Sequence, residues 1–229
     1  MIKSQQLAEW AEEDGSSALV VNGNFEVKRK SPLSFVCARL IHALDEIRSP
    51  EASQKATRPD IITVHFFCGQ HDTLEESWES PSGIINSLLS QLLTQCKGIH
   101  PSKVTRGKSF DNANVEKMFG CFKAALDQLP TGATVFCVID AISFYVDINE
   151  TRDDAKWLVS SLLRLTTKKP PKKADFKVLL TAPSRLRISE SKLHDAELLN
   201  ISRRLPNTGG FTAMRWNVEL STHLGDALT

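Results

Sequence analysis

Neither sign of charge dominates this sequence: 28 Lys and Arg stand against 27 Asp and Glu. Such a balance supplies no basic face of the kind that gathers phosphates along a nucleic acid, so no nucleic-acid partner is expected. Long apolar runs are missing as well. No stretch approaches the roughly eighteen residues a membrane helix needs, and the opening Met1 to Trp10 lacks the apolar core of a secretion signal. The expectation is a soluble chain with no membrane partner, cytoplasmic in location, with the nucleus left open. Cysteine is sparse and odd in number, five in all. Cys37, Cys68, Cys121 and Cys137 lie inside apolar runs, which reads as reduced core thiols rather than a disulfide framework.

What is present suits a globule with a real core: 41% hydrophobic and 24% charged residues in a chain of 229. The basic runs Lys28-Arg29-Lys30 and Lys168 to Lys173 read as local, solvated features. Four short runs rich in β-branched or aromatic residues read as strands: Ala18 to Asn22, Ile61 to Cys68, Ala133 to Asp140 and Phe176 to Ala182. Each is nearly continuous in apolar residues, as in strands covered on both faces. Helical stripes separate them. They are Val36, Leu40, Ala43, Leu44 and Ile47; Ile84, Ile85, Leu88, Leu89, Leu92 and Leu93; Val115, Met118, Phe119, Phe122, Ala125, Leu126 and Leu129; and Trp157, Leu158, Leu162 and Leu165. Ser31-Pro32 and Ser80-Pro81 each offer a hydroxyl N-cap followed by proline at the first helical position. Strands alternating with helices predict an α/β domain with a mostly parallel sheet flanked by helices, and with its ligands at the carboxyl ends of the strands. The expected organisation is an N-terminal helical segment over 1–14, the α/β domain over 15–188, and a tail over 189–229 in which Ala213 to Val218 is a candidate edge strand.

Three strand ends carry residues with chemistry. The first strand runs through Gly23 to Lys30 and Ser31 and then into a helix, which is the order of a P-loop: amides and helix dipole for phosphate, Lys for its charge, hydroxyl for magnesium. The spacing departs from that pattern. Lys30 follows Gly23 by seven residues instead of six, and Arg29 stands where a glycine would let the backbone approach phosphate. The third strand ends in Asp140, placed like a Walker B aspartate that holds magnesium. The catalytic acid that would follow it is absent, since the next residue is Ala141. The fourth strand leads to Thr181, Ser184 and Arg185, an arginine in a position to meet a phosphate. His65, Cys68, His71 and Asp72 are metal-capable types close together. Three residues apart on a strand, however, His65 and Cys68 point to opposite faces, and no zinc site is expected.

Further segments carry a family likeness. His65-Phe-Phe-Cys-Gly-Gln-His-Asp72 and then Ser80-Pro-Ser-Gly-Ile-Ile-Asn-Ser-Leu-Leu-Ser-Gln-Leu-Leu93 resemble fungal NACHT-type proteins of the STAND class of P-loop NTPases. Their second strand ends in Phe-Phe-Cys ahead of a Leu-x-x-Gln-Leu-Leu helix, and Thr181-Ala-Pro-Ser-Arg185 is similar to their sensor segment. The likeness covers about residues 15 to 188. It implies a P-loop NTPase-like core with the strand ending at Asp140 nearer the first strand than the strand ending at Cys68. It also implies Gly23, Lys30 and Ser31 at the phosphate loop, Asp140 at the magnesium position and Arg185 at the sensor. With a degenerate Walker A loop and no second acid, the function implied is a regulatory or protein-interaction module, not a working enzyme. Such a module would take protein partners and would bind Mg-ATP or Mg-GTP weakly or not at all. The alternatives are a slow NTPase using Lys30, Ser31 and Asp140, and an accessory protein of a fungal biosynthetic pathway.

Overall fold

The computed structural model describes residues 5–24, 31–48, 60–70, 80–105, 114–167 and 174–201. Its elements in chain order are α1 (Gln5–Glu12), β1 (Ser17–Asn22), α2 (Pro32–Arg48), β2 (Ile61–Phe67), α3 (Pro81–Gln95), α4 (Pro101–Val104), α5 (Val115–Leu126), β3 (Thr134–Asp140), α6 (Ser143–Val146), α7 (Arg152–Thr167), β4 (Asp175–Ala182), α8 (Glu190–Leu193) and β5 (Glu197–Asn200). A single turn of tighter helix, Cys68–Gln70, follows β2. The four apolar runs read from the sequence are β1 to β4 to within one residue at each end. The candidate edge strand at Ala213 to Val218 lies outside the described residues.

Every pairing in the sheet is parallel, and the strand order is β2-β3-β4-β1-β5. The chain leaves β1 toward the β2 edge and then returns through β3 and β4. Parallel crossovers are right-handed, so reversing the direction of travel must move the connecting helices to the other face. The packing follows that rule. Leu33, Val36, Leu40 and Leu44 of α2, with Leu7 and Trp10 of α1, cover Leu19, Val21, Phe136, Val138 and Leu179. On the opposite face α3, α5 and α7 cover Ala18, Val20, Val64, Val135, Cys137, Ile139, Val178 and Leu180. Period-two alternation along each strand makes this division, and both sets are apolar because both faces are covered. The larger core includes Leu88, Met118, Phe122 and Leu158, all 0% exposed. Burial of each such side chain contributes about 1.5–3 kcal/mol.

Sheet edges and helix ends are answered by particular side chains. On α3, Gln91 accepts from the His65 N–H at 2.9 Å and donates to the His65 carbonyl at 2.8 Å. One turn later Gln95 donates to the Thr63 carbonyl at 2.8 Å. The helix thus occupies backbone groups on the outer edge of β2 that another strand would otherwise seek. At the N-terminus Lys177 of β4, 3% exposed, donates to the carbonyls of Trp10 at 2.8 Å and of Glu13, and to the Ser17 hydroxyl at 3.2 Å. A cation on the last carbonyls of α1 complements the negative end of that helix, and it fixes α1 to the sheet together with the edge-on contact of Trp10 and Phe136 at 5.8 Å.

Candidate functional site

A switch in connection side places a crevice at the carboxyl ends of adjacent strands. Here it falls where β1, whose helix lies on one face, meets β4, whose chain neighbours lie on the other. The register makes the strand ends level. Phe67 pairs with Asp140, Ile139 with Leu180, and Val21 with Thr181. Gly23 extends the β1–β4 pairing by donating its N–H to the Ala182 carbonyl at 2.8 Å. Asn24 follows at φ 51°, a left-handed conformation that asparagine tolerates better than most residues. Asn22, 5% exposed, ties three segments together. Its Oδ1 accepts from the Leu186 N–H at 2.9 Å, and its Nδ2 donates to Asn200 Oδ1 at 3.0 Å.

Asp140 lies on the α2 side of the sheet, two residues beyond Val138 in the same alternation, and is 1% exposed. Thr181 Oγ1 donates to its Oδ1 at 2.6 Å, and Cys37 Sγ of α2 donates to the same oxygen at 3.9 Å. Oδ2 has no hydrogen-bond partner. Burial raises the Asp140 pKa above the ordinary carboxylate value, and the hydroxyls of Ser34 and Thr181 and the Cys37 thiol pull it back in part. Burial, and then the neighbouring Asp140, push the thiols of Cys37 and Cys68 well above the usual cysteine value. The buried carboxylate is therefore met by neutral donors. Of the candidate cations, Lys30 lies outside the described residues, as does Arg29.

The backbone beyond Asp140 is unusual. Ala141, 1% exposed, has φ 60°, which costs an L-residue about 1–2 kcal/mol. Two bonds to one residue of β4 hold it there: the Ala141 N–H donates to Thr181 Oγ1 at 3.0 Å, and the Ile142 N–H donates to the Thr181 carbonyl at 3.0 Å. Where an acid would align water, the chain holds a buried methyl. The next acid, Asp147, lies at the end of α6, with its Oδ1 3.7 Å from Arg187 Nε. Arg185, the residue expected at a sensor, is exposed in the turn after β4.

Ser31 is the N-cap of α2 and is 6% exposed. Its Oγ accepts from the Ser34 N–H at 3.2 Å, while its own N–H donates to Ser34 Oγ at 3.1 Å. This is a reciprocal cap of the capping-box kind. The structure thus brings Gly23, the Ser31 turn of α2, Asp140 and Thr181 to one end of the sheet. Ser34, Cys37 and the bridging role of Thr181 were not singled out in the sequence. Their signal was spacing: positions 31, 34 and 37 share a helix face, and Thr181 follows Leu179 on the α2 side. His65 and Cys68 take opposite sides of β2, His65 edge-on to Phe67 at 5.8 Å and Cys68 in the larger core. Among the described residues no three His, Cys, Asp or Glu side chains are grouped to hold a metal ion. A cation at Asp140 would be held by one carboxylate, hydroxyls and water, which is a magnesium-like donor set.

No curated protein matches the chain. Among solved structures, the Orc1 protein of Aeropyrum pernix in complex with DNA is similar at a TM-score of 0.46 and 13% identity, covering 96% of this chain and 46% of that one. This chain therefore spans less than half the length of the Orc1 chain. A chain of the HORMA:CdnC:Trip13 complex of E. coli MS115-1 is similar at a TM-score of 0.27 and 16% identity, with 88% of this chain and 69% of that one covered. Neither likeness is close enough to add to what the strand order and the site already establish. The sequence pattern of one family spans most of the chain, residues 1–183, from α1 through β4 and the Asp140–Thr181 pair. The chain belongs to the Nephrocystin 3, N-terminal family.

Proposed function

We propose that this chain is a NACHT-like regulatory or protein-interaction module on a P-loop NTPase-like core, with a nucleotide site that binds weakly or not at all. The observation that carries the reading is the turn after Asp140. Ala141 is buried there at φ 60° with its N–H committed to Thr181, so no acid follows the magnesium position to align an attacking water. Phosphoryl transfer depends on a preorganised set of donors as well as a positioned metal, and in the sequence Arg29 replaces the glycine of the phosphate loop. The strand order supports the P-loop assignment, since β4 alone separates β1 from β3 and β2 lies farther out. In this reading Asp140 would hold magnesium, Ser31 would supply a hydroxyl, and Gly23, Lys30 and Arg185 would face phosphate. When bound, the nucleotide would supply an anionic ligand for the domain to sense. A cytoplasmic location and protein partners belong to the same proposal. Among the described residues no helix is long and apolar enough to cross a membrane.

A slow NTPase is the second reading, and Asp140 Oδ2, buried without a partner, favours it. Titrating labelled ATP and GTP with magnesium at several ionic strengths, alongside a phosphate-release assay, separates the two. The module reading expects weak, salt-sensitive binding and no turnover above background. Turnover at ordinary NTPase rates that is lost in both Lys30→Ala and Asp140→Asn would establish the enzyme instead.

A further inference from the structure

The first N–H groups of a helix point outward without intrahelical partners, and this makes a helix start receptive to anions. In α2 the amides of Ser31 and Ser34 are already met from within. The Ser34 hydroxyl accepts from the Ser31 N–H at 3.1 Å and pairs with the Ser31 hydroxyl at 3.2 Å. On the same face of α2, one turn on, Cys37 reaches Asp140, a carboxylate 1% exposed whose Oδ2 has no partner. The start of α2 therefore holds, one turn apart, an amide that a phosphate would take and a contact to a carboxylate that a cation would bridge.

We propose that Ser34 is a self-capping gate: its hydroxyl occupies the Ser31 amide in the free protein, and a magnesium nucleoside triphosphate binds only as that hydroxyl turns away. The inference rests on the reading of a weakened nucleotide site and explains part of the weakness by a contact within the chain. The motion required is small. A serine has three staggered positions about its first side-chain bond, and within a helix its hydroxyl can turn back onto a carbonyl of the preceding turn. Binding must then break the Ser31–Ser34 bond before any contact to phosphate is gained, so the apparent affinity is scaled down by the fraction of chains in the open state.

The test uses the full chain and Mg-ATP as probe. Ser34→Ala removes the hydroxyl but leaves Ser31 to cap the amide at position 34; Ser34→Thr keeps a hydroxyl. Ser34→Ala should bind Mg-ATP about fivefold more tightly than the wild type, the worth of one neutral hydrogen bond, and Ser34→Thr should match the wild type. Hydrogen exchange of the Ser31 amide should be faster in Ser34→Ala and slow again when Mg-ATP is added. Should Ser34→Ala not fold, the wild-type chain still decides, because the Ser34 ¹³Cβ resonance must shift on saturation with Mg-ATP. An unchanged resonance, a folded Ser34→Ala that binds no more tightly, or an absence of binding at millimolar Mg-ATP in both chains overturns the gate. Wild-type turnover at ordinary rates would instead remove the weakened-site reading, whatever Ser34→Ala does.

Discussion

Thr181 does more at the strand ends than its place in the sensor-like segment implies. It gives its hydroxyl proton to Asp140 and takes the N–H of Ala141, both out of water. Thr181→Val keeps the shape, strands the Ala141 N–H and leaves Asp140 Oδ1 only the long Cys37 contact at 3.9 Å, and unmet buried groups cost about 1–3 kcal/mol each. A loss of about 2–4 kcal/mol by urea unfolding is expected, with most of it restored in Thr181→Ser. A loss below 0.5 kcal/mol, on the order of a neutral surface change, would mean that the turn at Ala141 is held by something else. Asp140 itself gives a pH signature. Burial raises its pKa, so between the ordinary aspartate value and the raised one the native chain holds a proton that the unfolded chain has released. The stability owed to this group is full below the ordinary value and is lost as pH rises through the raised one. Asp140→Asn removes that loss, so the stability of the variant relative to wild type should climb with pH across the window and then level off. Urea midpoints measured at a series of pH values check this, and a flat or falling difference would contradict the buried carboxylate.

At the scale of elements, the contact between α3 and β2 explains a sequence feature that resemblance alone had marked. In the run Leu88-Leu-Ser-Gln-Leu-Leu93 the leucines fill the core, while Gln91 takes both backbone groups of His65 on the outer edge of β2. A helix packed beside an edge strand needs a donor and an acceptor on one side chain, and glutamine has both. Gln91→Ala should cost about 1–2 kcal/mol and should speed hydrogen exchange at the His65 amide far more than at Val64. It should also raise the tendency to aggregate, because an unpaired edge recruits other strands. Equal exchange at the two amides in the variant would show that Gln91 does not protect the edge.

Across the whole molecule the two cores on either side of the sheet also account for the thiols. Cys37 belongs to the α2 side, Cys68, Cys121 and Cys137 to the other, and Cys96 at the end of α3 is only partly buried. All five are free. Alkylation of the native protein without reductant should label Cys96 first. The other four should follow only as the chain unfolds, and five modifications in total should appear by mass. A native mass two hydrogens short, or fast labelling of Cys37, would contradict this arrangement.

The sequence by itself determined the layers of this protein. Four apolar runs, separated by helical stripes, require covered parallel strands, because period and length are local properties of the chain. It also determined both serine–proline helix starts, since Ser80 caps Gly83 at 3.2 Å as Ser31 caps Ser34. The positions of Gly23, Ser31 and Asp140 at strand and helix ends were legible for the same reason. Only the tertiary structure decided what surrounds Asp140. Its neighbours Cys37 and Thr181 are 103 and 41 residues away in the chain, and no local pattern specifies that they meet. Nor did the sequence disclose β5, whose Glu197–Asn200 has exposed residues and no strong apolar run. It is a strand because β1 offers it a partner, with Leu19 opposite Glu197 and Asn22 opposite Asn200. Pairing of that kind is a property of the assembled sheet, and a segment with weak propensity takes it up when the partner edge is already in place.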